Sequence, residues 1–236
     1  MKKWMEKGSA KSAWNKRNTL SKYEPGGVLL STSGKCTAHI IKNGIDNRNL
    51  GRWTWITVKG KHNSQTTIIT AYRPSNQQVT SQNQLGTLRK IHTAKQPEDF
   101  WEDDLSSLIL SKKEFGGVIV LGDFNDDLNK SDGKVNTFFR HLDMRELLNE
   151  KYGEGPATHC FGTTKIDGIY GTNNIVIRQG GYGGMGLSPS DHLYPWVDVA
   201  ASDIVGQERD DRPPPVLRKA TSKIPSVKQS FNKVFN

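Results

Sequence analysis

The sequence predicts an α/β fold, and three features of the chain lead to this prediction. Segments with alternating bulky residues, which favour β-strands, occupy most of residues 26–72. An amphipathic segment that begins at Pro97 leads through a glycine pair into an aliphatic run, as in a helix followed by a buried strand. Further strand-like segments lie between residues 157 and 199. With 236 residues, 34% of them hydrophobic, the chain can bury a sizeable core.

The stretch around Asp123 carries the first candidate site. Four aliphatic residues, at positions 118–121, predict a buried strand that delivers Asp123 and Asn125 to its C-terminal end. Side chains alternate along a strand, so these two point the same way while Phe124 points into the protein. Asp123 can orient or deprotonate a water, and Asn125 can hold a phosphate oxygen. The alternative is an Asp-rich turn without a catalytic role, made with Asp126, Asp127 and Asn129.

The composition favours a polyanionic partner. Lys and Arg number 33 against 24 Asp and Glu, a formal net charge of +9, which is typical of proteins that bind nucleic acid. Much of this excess lies at the two ends. Residues 1–22 are predicted to be a basic, disordered segment, with a nucleic-acid-facing arm as the alternative. Residues 201–236 are predicted to be a proline-containing basic linker or tail, which leaves residues 23–200 as the folded domain.

The sequence indicates a nuclear or cytoplasmic protein that is not secreted. No apolar core follows the first charged residues, so no signal peptide is expected, and no apolar run approaches the length of a membrane span. Cys36 and Cys160 are predicted to be reduced packing residues. His159 precedes Cys160, but no second pair lies at a metal-binding spacing, so we expect no metal site there. No obligate protein partner is evident.

Four strands are predicted in the first part of the domain. A glycine pair opens the first strand, and the second is expected to pair with it. The third and fourth alternate bulky β-formers and are expected to form a hairpin. The four strands span residues 26–30, 38–41, 53–58 and 67–72, with a polar turn at 45–49.

Tyr72 ends the fourth of these strands. Pro74 fixes its own backbone and restricts Arg73, so Tyr72 is held at the strand end, where its hydroxyl can face the same edge as Asp123. The alternative is a tyrosine at the rim of the fold with no role in chemistry.

Three helices are predicted between the strands. Residues 82–96 are polar and helical in spacing. The helix from Pro97 has acids near its positive end, Lys112 and Lys113 in its last turn, and a glycine stop at Gly116. Residues 135–148 form a third helix with apolar residues to cover the sheet.

The last part of the domain contains Asp167 and His192. Short strands are predicted at residues 157–161, 165–170, 174–177 and 196–199, with a flexible glycine-rich connector at 180–186. Asp167 interrupts an apolar strand, and a buried carboxylate needs a partner. His192, in Ser190-Asp191-His192, is the natural partner, since a carboxylate fixes the imidazole tautomer for proton transfer. The alternative for this tripeptide is a helix cap or a turn.

Four short motifs follow one another in a defined order along the chain. They are Tyr72 before a proline, Gly122-Asp123-Phe124-Asn125, Ile166-Asp167-Gly168 and Ser190-Asp191-His192. In this order they resemble the endonuclease/exonuclease/phosphatase superfamily, and most of all the endonuclease domains of non-LTR retrotransposons and the apurinic/apyrimidinic endonucleases. The resemblance runs from about residue 23 to residue 199.

The resemblance implies a four-layer α/β sandwich, in which two packed mixed β-sheets are flanked by helices. It also implies a Mg²⁺-dependent cut of a nucleic-acid backbone, with Mn²⁺ as the alternative ion and Asp191 as a metal ligand. DNA is expected as the partner rather than RNA. A bound cation would act as a Lewis acid on the developing charge.

The roles of five further residues are carried over from the same resemblance. Asp123 would orient or activate the attacking water. Asn125 and His192 would contact the scissile phosphate, and Asp167 would pair with His192. Tyr72 would hydrogen-bond the phosphate or stabilise the leaving group.

The chain departs from the superfamily pattern at its beginning. The family has an Asn and a metal-binding Glu on two strands ahead of the Gly-Gly-Val strand, and we find no match for either. We therefore expect an N-terminally truncated copy whose first strands are missing and whose catalysis is weak or absent. A phosphatase of the same superfamily and an inactive nucleic-acid-binding remnant of a retroelement remain the alternatives to a DNA endonuclease.

Overall fold

The computed structural model describes residues 8–14, 27–60, 64–74, 97–184, 190–200 and 204. These residues form ten strands, three α-helices and a short 3₁₀-helix at Gly34–His39. The elements in chain order are β1 (Gly8–Trp14), β2 (Gly27–Ser33), β3 (Ile40–Ile45), β4 (Trp53–Lys59), β5 (Gln65–Tyr72), α1 (Pro97–Lys113), β6 (Gly116–Asp123), α2 (Lys134–His141), β7 (Met144–Glu146), α3 (Leu147–Tyr152), β8 (Asp167–Thr172), β9 (Ile177–Tyr182) and β10 (Pro195–Val199).

A six-stranded mixed sheet forms the centre of the structure, in the order β3-β4-β5-β6-β8-β7. Strands β5 and β6 are parallel, and every other neighbouring pair is antiparallel. The parallel pair requires a crossover connection, and α1 lies on that crossover. The predicted hairpin of β4 and β5 and the helix-to-strand unit of α1 and β6 are therefore confirmed.

One face of this sheet is covered by α1 and α2 through an aromatic core. Phe124 is fully buried there, as predicted, and it meets Trp101, Phe139 and Tyr170 edge to face. Phe139 also stacks on Tyr170 with ring centroids 3.9 Å apart. Such aromatic pairs stabilise a core beyond the area they bury. The end of β6 is thereby anchored directly before Asn125.

The other face of the sheet is covered by two antiparallel strand pairs. The β1–β2 pair lies over β4 and β5, and the β9–β10 pair lies next to β8. Ile119, Ile169 and Ile177 join a second apolar cluster on this side. Helices, central sheet and a second β layer make up an α/β sandwich, so the predicted fold class is confirmed. In the residues described, the second β layer consists of two separate two-stranded sheets.

The first two strand pairings differ from the prediction. Gly8–Trp14 lies within the segment predicted to be disordered, yet it forms β1 along the whole length of β2. The prediction that residues 38–41 pair with the first strand is wrong, because β3 pairs with β4. Local patterns indicated the extended segments that begin β2 and β3 and missed β1, because the partner of a strand is chosen by contacts between distant parts of the chain.

Three further elements differ from the prediction. The expected helix at 135–148 is two helices, α2 and α3, because Asp143 adopts φ 51° and a short strand intervenes. Residues 157–161 form an isolated bridge at His159 instead of a strand. The glycines at 180–181 belong to β9 rather than to a flexible connector, and that strand begins at Ile177.

Three remaining expectations concern the two cysteines, two segments of the chain and membrane spans. Cys36 and Cys160 are free but exposed, so their assignment as packing residues is wrong. The helix predicted at 82–96 lies outside the described residues, as does nearly all of the 201–236 segment. Within the described part of the chain, no helix is both long enough and apolar enough to cross a membrane.

Candidate active site

Three candidate residues occupy one row across the central sheet. In the β5–β6 ladder Tyr72 is opposite Asp123, and in the β6–β8 ladder Asp123 is opposite Asp167. Residues opposite each other on neighbouring strands present their side chains on the same face of a sheet. The C-terminal ends of β5 and β6 and the start of β8 therefore bring a phenol and two carboxylates to one edge.

Gly122 makes this close strand arrangement possible. Its φ is +154°, and a Cβ at this position would lie 1.7 Å from the carbonyl oxygen of Ala71. Any side chain would push β6 away from β5 just before Asp123. The close approach of β5 therefore explains why the Gly-Asp-Phe-Asn motif begins with glycine, which the sequence pattern alone does not.

His192 reaches this row from the segment that precedes β10. Its Nδ1 lies 2.8 Å from Oδ2 of Asp167, so the hydrogen bond expected between the two residues is present. Asp167 is 9% exposed and lies at the N-terminal end of β8. A carboxylate on Nδ1 holds the proton on that nitrogen and leaves Nε2 as the nitrogen of His192 that is not engaged by Asp167.

Thr158 supports both members of this pair and was not identified from the sequence. Its hydroxyl oxygen accepts hydrogen bonds from the backbone N–H groups of Ile166 and Asp167, each at 3.0 Å. Its carbonyl oxygen accepts from the N–H of Leu193 at 2.7 Å. A fully buried threonine therefore connects the chain before Asp167 with the chain after His192.

His159 is a second neighbour of the site that the sequence reasoning set aside. Its Nε2 lies 3.4 Å from Oδ2 of Asp191, and its ring meets that of His192 at a centroid distance of 4.9 Å. An antiparallel bridge between His159 and His192 aligns the two backbones. No cysteine or histidine spacing could have indicated this contact, because the residues are distant in the sequence and meet only through the fold.

Asn125 adopts a left-handed backbone conformation, with φ 48°. Its N–H donates to Oδ1 of Asp123 at 3.0 Å, and its side-chain nitrogen donates to the carbonyl oxygen of Arg73 at 2.7 Å. The N–H of Arg73 donates in turn to the carbonyl oxygen of Asp123 at 2.9 Å. Asn125 thus ties the ends of β5 and β6 together, and its amide nitrogen has a second N–H available for another acceptor.

The charges of the site shift two of its pKa values. Burial, together with the negative charge of Asp167, raises the pKa of Asp123 to about 6, and the backbone N–H of Asn125 only partly opposes this shift. For His192, burial disfavours the charged ring, but the hydrogen bond to Asp167 and the nearby carboxylates outweigh burial and raise its pKa. Near pH 6 the carboxyl of Asp123 can therefore exchange a proton, and the raised pKa of His192 favours the protonated ring.

The residues around Asp191 suit some divalent cations better than others. One carboxylate and two imidazoles, from Asp191, His159 and His192, offer ligand atoms within 4.8 Å of one another. Mg²⁺ prefers an octahedron of oxygen ligands, whereas imidazole nitrogen suits Zn²⁺ and neighbouring transition metals. This donor set therefore does not fit Mg²⁺, and Mg²⁺ as the ion of the site remains a prediction from the sequence.

Several solved structures share this fold at low sequence identity. The 3′-phosphatase NExo from Neisseria, bound to a product DNA hairpin, is 14% identical and has a TM-score of 0.53, with 80% of this chain and 79% of that chain covered. The catalytic domain of human Nocturnin, with a bound sulfate anion, is 14% identical and has a TM-score of 0.54, with 81% and 72% covered.

A third similar structure is the mannosyl-6-phosphatase Bt3783 of Bacteroides thetaiotaomicron. It is 13% identical and has a TM-score of 0.52, with 82% of this chain and 77% of that chain covered. No protein-family model and no curated protein sequence matches the chain. Identities this low establish the fold that the chain shares with these proteins, and they assign no substrate to it.

Proposed function

We propose that this chain, which has the fold of the endonuclease/exonuclease/phosphatase superfamily, hydrolyses phosphodiester bonds in a nucleic-acid backbone. The observation that carries the proposal is the row of Tyr72, Asp123 and Asp167 across three neighbouring strands, with His192 hydrogen-bonded to Asp167. An acid, an amide, a phenol and an oriented imidazole at one sheet edge are the groups that a water attack on phosphorus requires.

Asp123 is the proposed general base. A general base works best when its pKa lies near the working pH, because it is then ionised and still basic enough to accept a proton. A pKa of about 6 meets this condition, and an unperturbed aspartate would be a weaker base. Asp123 takes a proton from water while the water oxygen attacks phosphorus and the bond between phosphorus and the leaving oxygen breaks. The leaving oxygen takes up a proton from solvent, so the two ends become a phosphate and a hydroxyl.

His192 and Asn125 are the proposed phosphate contacts. The raised pKa of His192 favours the protonated ring, whose Nε2–H can donate to a phosphate oxygen. Asp167 acts as a positioning residue, since it holds Nδ1 of this ring. The second N–H of the Asn125 amide is a further donor, and the hydrogen bond to Arg73 fixes the direction of that amide.

Tyr72 is the proposed stabiliser of the leaving group. It lies opposite Asp123 at the end of β5, and the N–H of Trp101 Nε1 donates to its carbonyl oxygen at 3.0 Å, which fixes the backbone there. A phenol donates a hydrogen bond to an oxygen that gains negative charge as its bond to phosphorus breaks. A divalent cation, when bound through Asp191, would supply Lewis-acid stabilisation of the same charge.

DNA is the proposed substrate on two grounds. The net charge of +9 favours a polyanion over a small neutral ligand. The motifs resemble those of retrotransposon endonucleases, which act on DNA. A phosphatase acting on a terminal phosphate would use the same groups, so the assay must separate cleavage within a strand from release of a terminal phosphate.

Nicking of supercoiled plasmid tests the proposal. The full chain is assayed in Mg²⁺ and in Mn²⁺, with and without EDTA, beside Asp123→Ala and His192→Ala. We expect nicking by the unaltered protein only, and its loss in EDTA. Parallel arms with single-stranded RNA and with a 3′-phosphorylated oligonucleotide distinguish ribonuclease and phosphatase activity.

The outcomes separate the competing functions. Phosphate release without nicking would replace the endonuclease by a phosphatase. No hydrolysis of any substrate by a folded protein that still binds DNA would favour an inactive nucleic-acid-binding protein. Nicking that persists in Asp123→Ala would reject Asp123 as the base.

A further inference from the structure

We propose that His159, Asp191 and His192 form a binding site for a transition-metal ion of the zinc class. The three side chains come from two segments that are more than thirty residues apart in the sequence, and each offers a ligand atom within 4.8 Å of the others. No part of the proposed hydrolysis uses His159. The site is a property of the folded chain, and it can be tested whether or not the protein cuts DNA. An ion on Nε2 of His192 replaces the proton of that nitrogen, so ion binding and the proposed phosphate contact of His192 exclude each other.

The distances between the three groups fit a site that contracts slightly around an ion. Nε2 of His159 lies 3.4 Å from Oδ2 of Asp191, close to the separation of neighbouring ligands in a tetrahedral zinc site with bonds of about 2.0–2.1 Å. The two imidazole rings are nearly perpendicular, at 74°, with centroids 4.9 Å apart. Rings in this relation can direct one nitrogen each toward a common point.

The backbone holds the three residues in place without an ion. Two backbone hydrogen bonds close the bridge between His159 and His192. The N–H of Cys160 donates to the carbonyl oxygen of Asp191 at 2.9 Å, and the N–H of Leu193 donates to the carbonyl oxygen of Thr158 at 2.7 Å. Binding an ion therefore orders little additional chain. A preorganised site of this kind loses less conformational entropy than one assembled from loops.

The outer partner of His192 is the one that metal-binding histidines commonly have. Asp167 accepts the Nδ1–H of His192, which fixes the tautomer that leaves Nε2 free to ligate an ion. His159 is less favourably arranged, because its Nδ1 accepts the N–H of Phe161 at 3.3 Å. Ligation through Nε2 of His159 would give up this long hydrogen bond, whose contribution is small beside that of a metal–nitrogen bond.

The ligand types decide which ions fit. Two imidazoles and one carboxylate are the donors of many zinc sites with three protein ligands, which keep a further position open for water. The same set suits Co²⁺ and Ni²⁺, while Mg²⁺ favours oxygen and loses its water reluctantly. Selectivity for the zinc class over Mg²⁺ is therefore the distinguishing feature of the proposed site.

Cobalt binding gives a direct test that does not depend on hydrolysis. Untagged full-length protein is titrated with Co²⁺ alone, and binding is followed by the visible absorption of the ion. We expect a saturable band at one equivalent that Zn²⁺ abolishes and that a large excess of Mg²⁺ leaves in place. The absence of the band in a folded protein would overturn the proposal, as would displacement of Co²⁺ by Mg²⁺.

Variants assign the ligands. Asp167→Asn, which removes only the outer partner of His192, should weaken Co²⁺ binding by about 10- to 100-fold. His159→Gln and Asp191→Asn should each weaken it further, while His141→Gln, at an exposed position of α2, should bind like the unaltered protein. Unaltered affinity in His159→Gln would reject the site.

A measurement on the unaltered protein covers the case in which a variant fails to fold. The ring nitrogens of all histidines are observed by NMR during a titration with Zn²⁺. We expect large shifts at the rings of His159 and His192 together. Shifts at one of these rings only, or at every histidine equally, would contradict a common site.

Discussion

Two clusters of charged side chains in this molecule are arranged in opposite ways. In the first, Arg52 is fully buried and pairs with Asp46 at 2.7 Å and with Asp104 at 2.9 Å, and Arg48 also pairs with Asp104. Each carboxylate there meets a permanently charged guanidinium. Although burial opposes ionisation of Asp104, its arginine partners outweigh burial and lower its pKa.

The candidate active site, where β5 and β6 end and β8 begins, balances its charges differently. Asp123, Asp167 and Asp191 face two imidazoles, and an imidazole carries a charge only at part of the pH range. Burial and the charge of Asp167 raise the pKa of Asp123, where arginine lowered that of Asp104. The balanced charges of the first cluster suit a structural element, whereas the carboxylates of the second have no permanently charged partner, as the proposed proton transfer and cation binding require.

The largest effect is expected from substitution of Asp123, the proposed general base. Asp123→Asn keeps the shape of the side chain but cannot accept a proton, so the nicking rate should fall by about 10²- to 10⁴-fold. Nicking kinetics on supercoiled plasmid measure this. Asp143→Asn is the matched control, because Asp143 is largely exposed and asparagine tolerates its left-handed backbone. Equal losses in both variants would remove the distinction between the two positions.

Substitution of Arg52 in the first cluster should lower the stability of the protein and leave its activity unchanged. Arg52→Met leaves the fully buried Asp46 without its guanidinium partner, while Asp104 keeps Arg48, and this should lower the free energy of unfolding by about 3–5 kcal/mol. Urea denaturation measures the change. The exposed Arg178 provides the control, and Arg178→Met should stay within about 0.5 kcal/mol of the unaltered protein. The molecules of Arg52→Met that remain folded should keep their nicking activity.

Thr158 should contribute both to the stability of the fold and to the position of Asp167 in the candidate active site. Thr158→Val removes the acceptor of two backbone N–H groups and should destabilise the fold by about 1–3 kcal/mol. Because Asp167 then loses its anchor, nicking by the folded protein should also fall, and Thr158→Ser should restore both properties. A stability loss without any change in activity would show that Asp167 does not depend on Thr158.

The last expected effect is a gain in the free energy of unfolding, and its size depends on pH. Since Asp123 has a folded-state pKa of about 6, above its unfolded value of 3.8, its ionisation destabilises the fold progressively as pH rises from 3.8 to about 6, and the full loss of stability is present above pH 6. Asp123→Asn should therefore be more stable than the unaltered protein by about 1–3 kcal/mol at pH 7, where the upper value corresponds to the full difference between the two pKa values and the lower value allows for solvent screening of a partly exposed carboxyl. The difference should shrink below pH 6 and vanish once the pH is well below 3.8, where the carboxyl is protonated in both the folded and the unfolded state. Thermal unfolding at several pH values measures it, and a gain that is independent of pH would contradict this origin.

Local patterns determined much of the architecture from the sequence alone. Strands β4, β5 and β6, the helix from Pro97 and the burial of Phe124 all follow from residue spacing and from Pro and Gly signals. The order of the motifs gave the superfamily resemblance, which is confirmed at the level of the fold. The pairing of Asp167 with His192 was also expected, because a carboxylate in an apolar strand requires a partner.

The tertiary structure alone decided which distant groups meet. The strand Gly8–Trp14 carries a weak local signal and becomes extended by pairing with β2. His159 gains its place beside Asp191 and His192 from a single bridge between segments that have no shared pattern. Sequence periodicity reports how each segment buries its own apolar side chains. Which segments then lie side by side depends on the packing of the whole chain, and the additional histidine of this site is a product of that packing.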